Sequence, residues 1–208
     1  MIVPVWGALA LGYQIASRLA YVLYVGFALK SQDRSGHFTR RYGADEGFRR
    51  FRRTASTLMA NDGVSFVAVC LLTWNTLPPE IPRGLAVAAG TLLVLVGVST
   101  KLWAAATLGG RAYYWYNFFT STGTVAPNSA GPYRFLKNPM YTVGYLHTYG
   151  LALVTASLPG LLAALFDQGA ILAFYRWVEK PHFEKYSEGA ATSHRSRMRS
   201  GEDSLPPV

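Results

Sequence analysis

Long apolar stretches alternate with short, strongly charged ones along this chain. A helix that crosses a bilayer needs about 20 mainly apolar residues. Residues 3–29 form the first such stretch, 58–77 the second and 84–108 the third. The second ends at Pro78-Pro79 and the third at Gly109-Gly110, residue types that stop or break helices. Two shorter stretches, 141–158 and 161–178, flank Pro159-Gly160, which predicts a tight return between them. The pattern predicts an all-α polytopic membrane protein of about five transmembrane helices, the last two forming a short C-terminal hairpin. Four full spans with a shallow hairpin also fit these lengths. Residues 1–186 read as a single membrane-embedded domain, and residues 187–208 as a polar, disordered tail.

The distribution of charge adds an orientation. The chain carries 20 Lys and Arg against 11 Asp and Glu, a net charge of +9. Lys30, Arg34, Arg40, Arg41, Arg49, Arg50, Arg52 and Arg53 lie between the first two spans. Arg111, Arg134 and Lys137 lie between the third and fourth, and Lys180, Lys185, Arg195, Arg197 and Arg199 follow the fifth. The other two connections hold only Arg83. With five crossings the three basic segments share one side, and the positive-inside rule makes that side cytosolic. The N-terminus is then outside, and the C-terminus and active-site loops inside. The basic loop 30–53 is expected to rest on an anionic membrane surface, so the excess charge points to membrane and not to nucleic acid.

Composition narrows the chemistry. The single cysteine, Cys70, excludes a disulfide framework or a thiolate metal cluster within the chain, and no metal site is expected. The first basic residue is Arg18, so the positive n-region of a secretory signal peptide is not expected. Ionisable residues inside spans are functional or paired. Arg18 is expected to pair with Asp167, and Lys101 with Asp62.

Two segments concentrate reactive side chains at the ends of the short helices. The first reads Gly131-Pro132-Tyr133-Arg134, then Lys137-Asn138-Pro139-Met140-Tyr141, then Gly144-Tyr145. The second reads Glu179-Lys180-Pro181-His182-Phe183 and continues to Tyr186. A hairpin would bring them together, placing cations, a carboxylate, tyrosines and a glycine at one mouth beside the lipid.

This pair of segments resembles the C-terminal signature of integral-membrane methyltransferases, the superfamily of isoprenylcysteine carboxyl methyltransferases and phospholipid N-methyltransferases. Gly131 to Arg134 with the Lys137 to Tyr141 run is similar to the prenylcysteine-type GPYR…RHPxY pattern. Asn138-Pro139-Met140-Tyr141 and Glu179-Lys180-Pro181-His182-Phe183 look more like the phosphatidylethanolamine branch. The resemblance covers roughly residues 108–186. Lys180 stands where that family usually has a second Glu, and Lys137-Asn138 replaces the Arg-His of the prenylcysteine branch. The second departure favours an amine acceptor over a carboxylate.

The resemblance implies S-adenosylmethionine as cofactor and a membrane lipid as acceptor. Cofactor contacts are then expected from Leu108, Gly109, Gly110, Tyr133, Arg134, Lys137, Asn138, Pro139, Tyr141, Gly144, Tyr145, Glu179 and Lys180. Arg134 and Lys137 suit the cofactor carboxylate through charge-assisted hydrogen bonds. Glu179, acceptor-only when ionised, suits its amino group or ribose hydroxyls. Tyr141 and Tyr145 are placed to close a ring over the adenine, and Leu108-Gly109-Gly110 lets backbone approach a ligand closely. Tyr141, Glu179 and His182 are the candidate catalytic residues. The run Tyr113, Tyr114, Trp115 and Tyr116 reads either as an interfacial belt or as an aromatic cage for an ammonium headgroup.

The expected activity is methyl transfer to the amine of phosphatidylethanolamine or its methylated derivatives. The alternatives are a carboxyl or thiol methyltransferase acting on a prenylcysteine-like or small acceptor, and a non-catalytic scaffold or transporter component. The orientation is testable on its own. Reporter fusions near Arg50, near Arg134 and at the C-terminus should all report the cytosol, and an external C-terminus would overturn the assigned topology.

Overall fold

The computed structural model describes residues 5–120 and 130–185. The expected tail 187–208 and Tyr186 lie outside the described residues. Among these residues the fold is all-α. Helix α1 spans Val5–Ser35, the short α2 His37–Tyr42, α3 Ala44–Leu72 and α4 Arg83–Tyr113. A 3-10 turn at Gly131–Arg134 and another at Val143–Tyr145 lead into α5, Leu146–Val154. Helix α6 begins at Leu158, runs regularly to Phe174, passes through one π-helical turn at Tyr175–Glu179 and continues to Lys185.

Four helices among the described residues are long and apolar enough to cross a membrane: Val5–Ser35, Ala44–Leu72, Arg83–Phe118 and Leu158–Lys185. The bundle is arranged inside out. Gln14, Ser17 and Arg18 of α1 are buried, whereas Trp6, Leu9, Leu23 and Phe27 of the same helix are exposed. Leu85, Leu92, Leu95 and Leu102 line the outer side of α4. Apolar patches of this extent are costly in water and are what lipid requires. The protein is therefore a membrane protein.

The fourth stretch, expected as a helix over 141–158, is not a full span. It starts with irregular backbone and 3-10 turns, and its nine-residue α5 is only about 14 Å long. It nevertheless links the two faces of the bundle. At one face Asn75 N donates to Thr155 O at 3.0 Å, Thr76 N to Ala156 O at 2.8 Å, and the Arg83 guanidinium to Val154 O at 2.9 Å. At the other, Tyr141 reaches the end of α6, whose His182 contacts Asp33 at the end of α1. Gln32 donates to Phe118 O at 3.3 Å there, and Tyr116 to Asp45 at 2.9 Å. Among the described residues, Arg111 lies 3.6 Å from Asp45 and Lys185 4.0 Å from Asp33 at this end.

Several boundaries differ from the sequence expectation for physical reasons. The return between α5 and α6 falls on Thr155–Ala156–Ser157, with Ala156 at φ 49°, rather than on Pro159-Gly160. Pro159 lies in the first turn of α6, where its missing N–H costs nothing. Ser157 caps that helix by accepting from Gly160 N at 2.8 Å. The second span ends at Leu72, not Leu77, because residues 75–77 hydrogen-bond to the α5–α6 turn instead. It also starts 14 residues earlier than predicted, at Ala44 against position 58. Much of the basic loop 30–53 is therefore helical. Phe48, Phe51 and Ala55 recur on its buried side while Arg49, Arg50, Arg52 and Arg53 face out.

Glycines set the closeness of α4 and α5. A Cβ on Gly90 would lie 2.7 Å from Gly150 O, and one on Gly97 would collide with the backbone N of His147. Backbone atoms cannot swing aside, so these positions exclude any side chain. Gly97→Ala should destabilise the detergent-solubilised protein by roughly 1–3 kcal/mol through overpacking. Gly12→Ala, where a Cβ meets nothing within 4 Å, should be neutral or slightly stabilising. Thermal unfolding of both variants checks this, and equal behaviour would contradict the packing account.

Candidate active site

The structure brings the two reactive segments together on Glu179. Its carboxylate is buried, and one oxygen, Oε1, accepts hydrogen bonds from Trp115 Nε1 at 2.5 Å and Tyr141 Oη at 2.6 Å. Its other oxygen, Oε2, accepts none among the described residues. The π-helical turn at Tyr175–Glu179 inserts one extra residue, so that Val178 and Glu179 both face inward. Such turns recur at functional sites because they re-aim side chains without ending the helix.

Trp115 reaches Glu179 through two backbone devices. Gly109, at φ 76°, breaks α4, and Trp115 itself adopts the left-handed conformation at φ 60°. A left-handed backbone is uncommon for a bulky residue and here turns the indole inward. The ring packs against Phe51 at 6.2 Å and Phe174 at 5.5 Å between centroids.

The aromatic run does not form a lipid-facing belt. Trp115, Phe118 and Phe119 are buried, and Phe119 packs against Phe38, Phe48 and Phe51. Tyr114 lies under the Arg52 guanidinium at 4.8 Å, and Tyr116 under that of Arg111 at 4.6 Å. Neither Tyr114 nor Tyr116 lines the cavity described next, whereas Tyr113 and Trp115 do.

A cavity of about 330 Å³ runs inward from Tyr113, Trp115 and Tyr141. Met59, Gly63, Phe66 and Val67 of α3 form one wall, and Lys101 of α4 faces them. Arg18, Asp62, Tyr145 and His147 also line it. Successive in the chain, α3 and α4 barely touch, because α4 packs on α5 and α3 on α1. The cavity occupies the gap they leave.

Beneath it lies a buried charge network. Arg18 bridges Asp62 at 2.7 Å and Asp167 at 3.0 Å, the latter close enough to pair but off the line of a hydrogen bond. It also donates to Tyr145 Oη at 2.9 Å. Gln14 Nε2 donates to Asp167 at 2.8 Å and Asp62 at 3.3 Å. The expected Arg18–Asp167 pair is present. The expected Lys101–Asp62 pair is not, because one guanidinium has enough donors to hold both carboxylates.

The remaining expected site residues fall into separate groups. Tyr145 faces the charge network instead of the outer mouth. Tyr133 is half-buried, and burial together with the nearby Glu179 charge pushes its hydroxyl up to about 12. Arg134 and Lys137 are exposed and form no ion pair among the described residues. Asn138 has a buried Nδ2 without a hydrogen-bond partner. Pro139 and Gly144 pack together, a Cβ on Gly144 lying 3.0 Å from Pro139 O. Gly109 and Gly110 are exposed with open space at Cβ, beside a half-buried Leu108. Lys180 pairs with Glu184 at 3.4 Å. His182 holds Asp33 at 2.8 Å and stacks on Phe118 at 3.6 Å, away from the cavity. Trp115, expected only as a substrate contact, proves to be a donor to Glu179. A buried indole N–H must find an acceptor, which was the available signal.

The family profile covers the half of the molecule that carries this site, and individual relatives align over most of the chain. The profile of the phospholipid methyltransferase family matches residues 85–188, from α4 past the end of α6. The chain belongs to the phospholipid methyltransferase family. It is similar to the phosphatidylethanolamine N-methyltransferase of Chaetomium globosum, at 32% identity over 191 residues, covering 88% of this chain and 20% of that protein. The enzyme of that name from Pyricularia oryzae is 30% identical over 212 residues, covering 97% of this chain and 22% of that one. A third, from Arthroderma otae, is 28% identical over 198 residues, 91% of this chain and 20% of the relative. The chain thus spans about a fifth of the length of these curated relatives. No solved structure matches it. Within the family match lie Trp115, Tyr141 and Glu179, the residues that meet in the structure.

Proposed function

We propose that this chain transfers a methyl group from S-adenosylmethionine to the amine of phosphatidylethanolamine or its partly methylated forms. In this reading residues 1–186 act as one membrane domain, and the face shared by the three basic segments is cytosolic. There the basic segments rest on anionic headgroups, and the water-soluble cofactor reaches the site. The activity for which these relatives are named supports the choice of acceptor. The observation that carries the proposal is the state of Glu179: a buried carboxylate, fixed through one oxygen, with its second oxygen unused among the described residues.

The residues fit the cofactor's groups. Glu179 Oε2 accepts from its amino group or ribose, while Trp115 and Tyr141 hold the carboxylate in place. Arg134 and Lys137, cations without ion pairs among the described residues, donate to its carboxylate. The orphaned Asn138 Nδ2 has a hydrogen bond to give to a ligand oxygen, which relieves the penalty of leaving it buried and unsatisfied. Tyr141, its hydroxyl committed to Glu179, presents its ring. When bound, S-adenosylmethionine would supply an electrophilic methyl on a sulfonium: the lone pair of the neutral amine would form the new N–C bond as the C–S bond breaks in line, leaving a methylated ammonium and a neutral thioether. The cavity between α3 and α4 brings that amine from the bilayer to the Trp115–Tyr141 end and keeps bulk water out. His182, committed to Asp33 and Phe118, serves to hold the ends of α6 and α1 together.

Glu179→Gln tests the assignment. It keeps size and shape, removes the charge, and leaves the Trp115 and Tyr141 contacts an amide oxygen to use. Charged hydrogen bonds are worth about 1.5–3 kcal/mol, so affinity for S-adenosylmethionine should fall roughly tenfold or more. Glu184→Gln, which removes the exposed carboxylate that pairs with Lys180, should bind normally. Calorimetric titration in detergent decides it, and equal affinity for wild type and Glu179→Gln would remove Glu179 from the site.

A further inference from the structure

Lys101 lies within the membrane-spanning part of α4, half-buried on the cavity wall. An ammonium at such depth is expensive unless something compensates it. Among the described residues it forms no ion pair, and its nearest aromatic partner is the Tyr145 ring, 5.4 Å from Nζ. Both carboxylates of the buried network are engaged by Arg18. Lys101 thus meets Asp62 only beyond ion-pair distance, and its ammonium is left on the cavity wall.

Its position within the cavity is informative. On one side is the gap between α3 and α4, where Gly63 is exposed and a Cβ would meet nothing within 4 Å. On the other is the segment that carries Tyr141, since a Cβ on Gly144 would stand 3.5 Å from Lys101 Cβ. A lipid entering through the gap with its chains left outside presents its phosphate first and its nitrogen beyond it. Charge balance favours a zwitterion. Arg18, Lys101, Asp62 and Asp167 sum to zero, and a headgroup with one phosphate and one ammonium leaves that sum unchanged.

We propose that Lys101 is the phosphate seat of the acceptor lipid, holding a phosphodiester in the cavity so that the headgroup nitrogen lies against Tyr113, Trp115 and Tyr141. The choice of lipid rests on the lipid-amine reading above. The aromatic faces attract ammonium and its methylated forms alike, so one site holds successive products without changing its contacts. Lys101 is a specificity residue: it recognises the phosphate and does not touch the methyl group.

The test uses binding without any methyl donor, so that it is independent of catalysis. Short-chain phosphatidylcholine, which has no methylatable amine, is titrated against the purified protein in detergent, with the matching diacylglycerol in parallel. Wild type should bind phosphatidylcholine at least tenfold more tightly than diacylglycerol. Lys101→Gln should abolish that difference without changing diacylglycerol binding, and Lys101→Arg should retain most of it. Equal binding of the two lipids by wild type, or undiminished phosphatidylcholine binding by Lys101→Gln, would overturn the proposal. Should Lys101→Gln fail to fold, the wild-type comparison and Lys101→Arg decide it: loss of the preference in a folded Lys101→Arg also counts against a phosphate seat. A wild type that binds as expected yet transfers no methyl group to phosphatidylethanolamine would contradict the proposed activity and leave the phosphate seat standing.

Discussion

The bundle depends on one buried cation. Arg18 of α1 holds Asp62 of α3 and Asp167 of α6 and donates to Tyr145 just before α5, so four segments distant in sequence meet at one guanidinium. Gln14, one turn earlier on α1, bonds both carboxylates as well. In lipid there is no general apolar force drawing helices together, and interhelical polar contacts and close backbone packing take its place. The α4–α5 contact is of the second kind, built on Gly90, Gly97 and Gly150. The two together leave α3 and α4 apart, and that gap is the cavity. Removing one member of such a buried network is costly, because it strands the others in a medium that cannot solvate them.

The same arrangement reconciles two solvents. On the proposed reading, a cofactor dissolved in water and an acceptor dissolved in the bilayer have to meet at one place. The face with the basic segments carries Arg134, Lys137, Asn138 and Glu179. The cavity lies in the gap between α3 and α4, where Gly63 and Val67 are exposed, with Lys101 on its wall. Trp115 and Tyr141 belong to both regions: each bonds Glu179 and each lines the cavity. On the proposed reading these two side chains mark where the methyl group changes hands.

Much of this was legible in sequence. Runs of about 20 apolar residues leave little freedom in a membrane, so the long helices stood out. The Asn138 to Tyr141 and Glu179 segments were legible as a pair. Three things were not. The early start of α3 was hidden because its buried side, Phe48, Phe51 and Ala55, is interleaved with four arginines that read as a loop. The partner of Asp62 was misassigned because position along a span does not reveal which of two cations has the donors for two acids. The role of Trp115 depends on a left-handed residue and a π-helical turn, and neither leaves a composition signature. Pro159 was read as the turn itself, although proline suits the first turn of a helix as well as it suits a bend.

The central claim is the acceptor, and the identity of the methylated product tests it most directly. Purified protein is given isotopically labelled S-adenosylmethionine and, in separate vesicles, phosphatidylethanolamine, its mono- and dimethylated forms, and a prenylated cysteine with a free carboxylate; the labelled product is identified by mass spectrometry. The account predicts label on the headgroup nitrogen of the ethanolamine lipids and none on the prenylcysteine. Label on the prenylcysteine carboxylate alone, or none on any lipid by protein that binds the cofactor, would contradict it.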